Sequence, residues 1–552
     1  MNRARGKIRA LAGLVMLMLF GPTSFPLRSQ QLSFPERIYR YFHPDIVKVE
    51  EVQGLNERIA DGKLHLHLKD FLELVMKNSP DIRISRLDLY TAADLIIAAK
   101  KPTDPLLTGG FNTQRVISQQ YNEISGAETL GNLTQVSTLN YQQTLPTGQT
   151  LTANFLGTRN SANSSFYFLN PNIAIGLNFS VMQPLLQDFN RMQLRGPLEV
   201  ARTQLSITSY TSAAQIADAL STAAVQYWEA IHLRDNIGVQ QQGVNLAQKS
   251  YERDKQALDL GALGRLDIYQ SETQVAERSR DLIASQYAYQ GALDGLRRLI
   301  GADLTPQIRN TEIVLEDDPA ALPSQAILPF EEALSKAMAA RPELQAAQQR
   351  VNVDDLDARI ARNQLLPRLD LLVGGGSTGL GGDSVPAPGL PVSGPNTGLG
   401  YALQQTFTYA YPSYGFGLQF NLPLRNSPVQ AALSDAFVNK VRDQYQQRRT
   451  QQQIILDVRQ AIRNIELANA TIEASKRARD LAKLNVDAET KKYELGSNTA
   501  FEVLDSQNRL TTAESFLLAA YVGYQQAYIS YQRATWTLFD SLGIALETPK
   551  TH

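Results

Sequence analysis

Two stretches of this 552-residue chain repeat one another in strict register, and that duplication limits the fold more than any single motif does. Pro80 and Pro105 recur as Pro342 and Pro367, each 262 positions later, and Leu72, Val75 and Ile82 fall opposite Leu334, Ala337 and Leu344. Further on, Ala201 and Gly261 recur as Ala436 and Gly496, each 235 positions later. The segments between these anchors therefore have one rigid length in both copies. Two copies make a duplicated half, not a many-repeat solenoid.

Each copy reads in the same order. A helix with apolar Leu72, Val75, Met76 and Ile82, or Leu334, Ala337 and Met338, meets a corner at Asn78-Ser79-Pro80 or Arg341-Pro342. Pro105 and Pro367 then open a strand region rich in Gly, Thr and aromatics. Ile173, Ile175, Leu177, Phe179 and Val181 alternate with small or polar residues, and Tyr414, Phe416, Leu418 and Phe420 repeat the pattern. Such two-faced strands suit a soluble sheet or an outer-membrane barrel. Aromatics at Phe166, Tyr167, Phe168 and at Phe407, Tyr409, Tyr411, Tyr414 tilt the choice towards lipid. The spans from Thr158 to Ser161 onward and from Gly374 to Gly400 read as exposed loops. An extra alternating pair around Pro146-Thr147-Gly148, with Leu139, Tyr141, Leu151 and Phe155, has no counterpart in the second copy, and its place inside or beside a barrel stays open.

After Pro184 and Pro423 the chain turns helical, from about Leu198 to Leu258 and from about Ala431 to Tyr493. Some 60 residues at ~1.5 Å each make a rod of roughly 90 Å, too long for a compact core. Ile454, Val458, Ile462, Ile465 and Ile472 recur at coiled-coil spacing. The rods end at Leu260-Gly261 and Leu495-Gly496, and a second helix begins at once in each copy.

The remaining signals are mostly exclusions. Arg3, Arg5, Lys7 and Arg9 precede an apolar run from Leu11 to Phe20, the order of a secretory signal, with an N-terminal anchor as the alternative. A net charge of −1 without a basic stripe argues against nucleic acid. The absence of cysteine excludes a disulfide framework. No phosphate-cradling Gly-Lys-Ser/Thr element occurs, and His65 with His67 is the one close histidine pair, so no enzyme activity, metal or cofactor is expected.

The doubled corners (Asn78 to Asp81; Arg341 to Leu344), the strand exits Gln183-Pro184-Leu185 and Leu422-Pro423-Leu424, and the tips around Asp267-Ile268 and Glu502 to Asp505 resemble the TolC-type outer-membrane efflux proteins. The resemblance spans Leu64 to about Leu542. It implies an α+β membrane protein: a homotrimer in which each protomer gives four strands to a shared 12-stranded outer-membrane β-barrel, continued by a long α-helical barrel with an equatorial region. The corresponding segments are a signal peptide (1–30), an N-terminal extension without assigned role (31–63), repeat 1 (64–312), repeat 2 (313–545) and a tail (546–552). The implied function is the exit duct of a tripartite efflux or type I secretion system, served by a periplasmic adaptor and an inner-membrane pump. A periplasmic coiled-coil scaffold is the alternative, with an ordinary porin third.

By the same resemblance, Glu502 and Asp505 form the periplasmic constriction, Asp267 and Tyr493 belong to a tip latch whose basic member is replaced by Asn498, and Leu260, Gly261, Leu495 and Gly496 receive the adaptor. Thr499-x-x-Glu502 also reads as a capping box, a role compatible with the first.

Overall fold

The structure, a computed structural model, describes residues 48–119, 128–164, 167–189, 192–260, 264–306, 308–323, 327–385 and 398–543. The signal peptide, most of the extension, Phe166, Gly261 and the tail lie outside the described residues. In chain order the elements are β1 (Ile59–Ala60), β2 (Lys63–Leu66), α1 (Leu68–Asn78), α2 (Pro80–Ala98), β3 (Leu106–Gln119), β4 (Thr129–Thr144), β5 (Thr150–Ala162), β6 (Leu169–Pro184), α3 (Met192–Asp259) and α4 (Arg265–Ile300). The second copy supplies β7 (Glu312–Leu315), α5 (Phe330–Ala340), α6 (Pro342–Gln364), β8 (Arg368–Ser384), α7 (Leu399–Phe407), β9 (Tyr411–Asn421), α8 (Ser427–Glu494), α9 (Ala500–Thr535) and α10 (Leu538–Leu542).

The duplication holds at the level of single caps. Ser79 and Arg341 cap α2 and α6 in the same extended conformation, φ −60°/ψ 125° and φ −67°/ψ 122°, each followed by proline. Proline there forfeits only an N–H that the first helical turn cannot use. The backbone N–H of each cap residue returns 2.9 Å to the preceding helix, at Val75 O and Ala337 O. Both long helices have 68 residues and both return helices have 36. At ~1.5 Å per residue the longer pair span about 100 Å.

Two cores lie where the short helices meet the long ones. The first gathers Phe71, Leu72 and Leu74 of α1 with Leu220, Tyr227 and Ile231 of α3 and Leu296 of α4. The second gathers Ala333 and Ala337 of α5 with Ile454, Val458 and Ile465 of α8 and Tyr524 and Tyr528 of α9. Each apolar side chain buried there stabilises by roughly 1.5–3 kcal/mol. The α8 seam is the one its spacing predicts, with Ile454, Val458, Ile465 and Ile472 all buried. Beside the first core, β2 pairs in parallel with β7, Leu64 against Ile313, so the two copies join through the strands that open them. Part of the extension also belongs to this core: Leu55 is buried, and Gln53 exchanges two 2.9 Å bonds with Asn78.

The second sheet has six strands in the order β3-β4-β5-β6-β8-β9, every pair antiparallel. This corrects three expectations. Four strands per protomer become six, because the unmatched hairpin around Pro146 forms β4 and β5 inside the sheet. Thr158 to Ser161 lies in β5, and the glycine run from Gly374 extends β8 to Ser384. Pairing with β6 saturates the glycine-rich backbone, so composition alone misleads. The fall in offset from 262 to 235 marks the same event: the first copy has β4 and β5 where the second has only α7.

Candidate functional site

The ladder registers sort the six strands into two faces. Ile175, Leu177 and Phe179 of β6 share a face with Phe155 of β5, Leu139 of β4, Phe111 of β3 and Phe416 and Leu418 of β9. The opposite face carries Asn, Thr, Ser and Gly, including an Asn140–Asn154–Asn178 rung across three strands, in which Asn154 Nδ2 donates to Asn140 Oδ1. Among the described strand positions on that face, Arg368 and Asp370 are the only charged residues. They pair at 2.6 Å where β8 leaves α6.

On the apolar face, the outer half of β8 offers only Gly375, Ser377, Gly379 and Gly381. Helix α7 lies over this bare patch. Its Ala402 and Thr406 are buried, with Thr406 Oγ1 3.3 Å from Ile175 O and 2.9 Å from Ala402 O. Leu380 N donates to Gln405 Oε1 at 3.0 Å, satisfying β8 beyond its last pair with β9, Thr378↔Tyr411. Leu399, Tyr401 and Phe407 face outward, and no charged residue occurs from Gly398 to Tyr411. The helix therefore replaces the apolar side chains that the strand lacks.

At the other end of the long helices, Leu495 is 84% exposed and Leu260 is 85% exposed. Gly496 turns the chain with φ +73°, its N–H bonded 2.9 Å to Tyr493 O, the geometry that favours glycine after a helix. Tyr493 Oη donates to Asp254 Oδ1 at 3.1 Å. Asp254 is fully buried; it also accepts from Arg253 Nε at 3.4 Å and from Ser271 Oγ. The Arg253 guanidinium lies 4.3 Å from the Tyr493 ring centre, a cation–π contact. At the described tip Tyr493 thus ties α8 to α3, beside the bonds from Gln274 and Arg278 of α4 to Asn508 of α9 that also join the two hairpins. Asp267 sits in the first turn of α4, with its side chain outside the described residues.

Asn498, at the position where the resemblance expects a base, donates to Glu489 Oε2 and accepts from Thr499 N at 2.9 Å. Thr499 is the N-cap of α9 but makes no side-chain cap bond, so the Thr499-to-Glu502 box does not close. Glu502 is exposed in the first turn of α9, where the helix dipole favours an acid. Asp505 pairs with Arg509 at 2.8 Å, one helical turn away. Arg253, Asp254 and Ser271 are the tip residues that motif reading missed.

A charged clamp holds the waist. Arg341 pairs with Asp457 of α8 at 2.8 Å and with Glu343 at 3.0 Å. Arg533 of α9 pairs with Glu343 at 2.6 Å and with Asp218 of α3 at 2.7 Å. Burial alone would raise the Glu343 pKa, but hydrogen bonds and charges from Arg341 and Arg533 override it and bring it down to about 2. Near the first core, His65 and His67 bond Glu316, at 2.7 and 2.8 Å, and His67 also bonds Asp317 at 3.1 Å. Among the described residues no group of three or more His, Cys, Asp or Glu is arranged to hold a metal ion. No described helix is long and apolar enough to cross a membrane.

Residues 333–535 match the family model described as "Outer membrane efflux protein". Among solved structures, the chain is similar to CusC, with TM-score 0.61 and 17% identity over 88% of this chain and 95% of that one. It is similar to the CmeC outer membrane channel of Campylobacter jejuni, with TM-score 0.60 and 14% identity over 90% and 94% of the two chains. It also resembles the open-state MtrE outer membrane channel of Neisseria gonorrhoeae, with TM-score 0.56 and 17% identity over 85% and 89%. No curated protein matches the chain. The family-model match thus lies within the second copy, and the likeness to these solved channels is one of fold along both copies.

Proposed function

We propose that three copies of this chain form one continuous exit duct, a barrel in the outer membrane prolonged by a helical tube, which receives cargo from a periplasmic adaptor and an inner-membrane pump. The observation that carries this reading is the direct run of an open, two-faced sheet into helices of about 100 Å. An open sheet edge in hydrocarbon leaves several kcal/mol of unmet hydrogen bonding per exposed group, so the sheet needs further copies to close. The apolar face meets lipid and the Asn/Thr face meets water. A groove of about 1050 Å³ along α8 and α9, lined by Leu467, Ala474, Phe516 and Ala520, suits a helix of the neighbouring copy. Leu260 and Leu495, exposed beside their turns, are the adaptor-docking tips together with Gly261 and Gly496.

Three copies would bring six carboxylates, Glu502 and Asp505 from each, around the entrance, where like charges attract cations. The Asp505–Arg509 pair offsets part of this charge and leaves Glu502 the stronger contributor. The test is single-channel recording in planar bilayers. Glu502→Ala with Asp505→Ala should raise conductance and weaken block by multivalent cations, the double variant melting as the parent does. Unchanged currents and block would remove the constriction, and absence of any channel from folded protein would remove the duct.

A further inference from the structure

We infer that the outer-membrane wall of this duct is an eighteen-stranded barrel, six strands from each of three copies, closed by pairing β3 of one copy with β9 of the next. The inference rests on the trimeric reading above and adds to it the width of the exit.

The β4–β5 hairpin is a full member of the wall. Its pairing with β3 runs from Leu106↔Gln142 to Gln119↔Thr129, and its pairing with β6 runs from Thr150↔Met182 to Asn160↔Asn172. A tight turn joins the two strands, with Gly148 at φ +90° and Leu145 N bonded 2.7 Å to Gln149 O. The hairpin keeps the alternation of its neighbours, Leu139 and Phe155 on the apolar face against Asn140 and Asn154 on the polar one. A hairpin folded away from the wall would have no reason to continue both faces in register.

The two open edges fit one another. β3 is exposed throughout except at Ser118, and β9 throughout except at Gly417. Phe111 on β3 is 67% exposed and Phe416 on β9 is 85% exposed, both on the apolar face. β3 leaves the helical end of the sheet and β9 returns to it, so the number of strands per copy is even. Head-to-tail closure is then antiparallel at every seam and keeps the apolar side outward all round. A second copy of this chain is the one partner that supplies both the complementary edge and the continuous face.

Barrel diameter grows about linearly with strand number, so this wall is about 1.5-fold wider than a twelve-stranded one. Its polar face, charged among the described strand positions only at the Arg368–Asp370 pair, would let wide cargo leave with little selection by charge.

The test combines imaging, cross-linking and deletion. Protein reconstituted in lipid nanodiscs should show three copies and eighteen wall strands. The chain has no native cysteine, so Asn112→Cys combined in turn with Ser413→Cys, Gly415→Cys, Gly417→Cys or Gln419→Cys should give, for at least one pair, an oxidation-dependent ladder ending at three. Removal of residues 129–162, which lie between the end of β3 and the start of β6 at one end of the sheet, should keep the trimer and lower the size limit for neutral polymers entering from the barrel side by about one third. A trimer with twelve wall strands and the hairpin outside, or an unchanged polymer limit in the deletion variant, would overturn the inference and leave the duct standing. Two copies closing the wall, or a lone folded copy in the membrane fraction, would overturn both.

Discussion

Tyr493 and Asp254 stand 239 positions apart, and a bond of that separation has no signature in local spacing. The sequence did hold one clue. Ala247, Ser250 and Asp254 follow one another at three and four residues, the rhythm of a buried seam, and a carboxylate at a seam position demands partners. The structure supplies them in Tyr493, Arg253 and Ser271. Tyr493→Phe should remove one donor to a buried charge, worth roughly 1–3 kcal/mol. The expected result is longer open times in bilayer recordings with unchanged helix content by circular dichroism; identical gating would mean that the bond is not a latch. A second residue works against the fold at neutral pH. Burial, then the nearby carboxylates Asp443 and Asp357, raise the Asp354 pKa from 3.8 to about 6. A carboxyl whose pKa is raised by folding destabilises the native state while ionised, and that cost fades as pH falls from about 6 towards 3.8. Asp354→Asn should therefore raise the melting temperature at pH 8, by the equivalent of roughly 1–3 kcal/mol, and lose that advantage near pH 4.

The elements divide by how local their determinants are. Both rods, both corners and the tip turn at Gly496 were legible, because proline, glycine and apolar rhythm act within a few residues of themselves. Their equal lengths, 68 residues for each rod, follow from the duplication. The strand count was not legible, since comparison of the copies discards the very hairpin that only one of them has. Nor was α7: nine residues in an otherwise glycine-rich region announce a loop, and only the bare glycine face of β8 explains why a helix belongs there. That explanation is testable at Gly379, where an added Cβ would collide with the Ala402 carbonyl oxygen. Gly379→Val should dislodge α7, seen as faster proteolysis between residues 385 and 410 in lipid-reconstituted protein. Gly398→Val, where nothing lies within 4 Å of an added Cβ, should leave the digestion pattern intact.

At the scale of the whole molecule, the described copy exposes apolar surface along the open sheet and also along α8 and α9, where Leu467, Leu481, Leu484 and Phe516 are each more than 60% exposed. Water tolerates scattered apolar side chains but not stripes of this length, and in the proposed duct the helical one stands away from the lipid that covers the sheet. The waist clamp has already fixed the two hairpins to each other within the copy, Arg533 bridging Glu343 and Asp218, so this stripe is free to face outward as a rigid unit. In the proposed trimer, contact with a neighbour's helix would therefore be a second and independent source of assembly, distinct from closure of the barrel seam. Leu467→Asp with Phe516→Asp should place unpaired charges in that contact and cost several kcal/mol per interface. The expected outcome in detergent, where the sheet edges are shielded, is a shift from trimer to single copies by light scattering, with helix content retained. A trimer that withstands both aspartates would mean that the strands alone hold the copies together, and the tube beneath them would then be three loosely apposed pairs of hairpins instead of a sealed conduit.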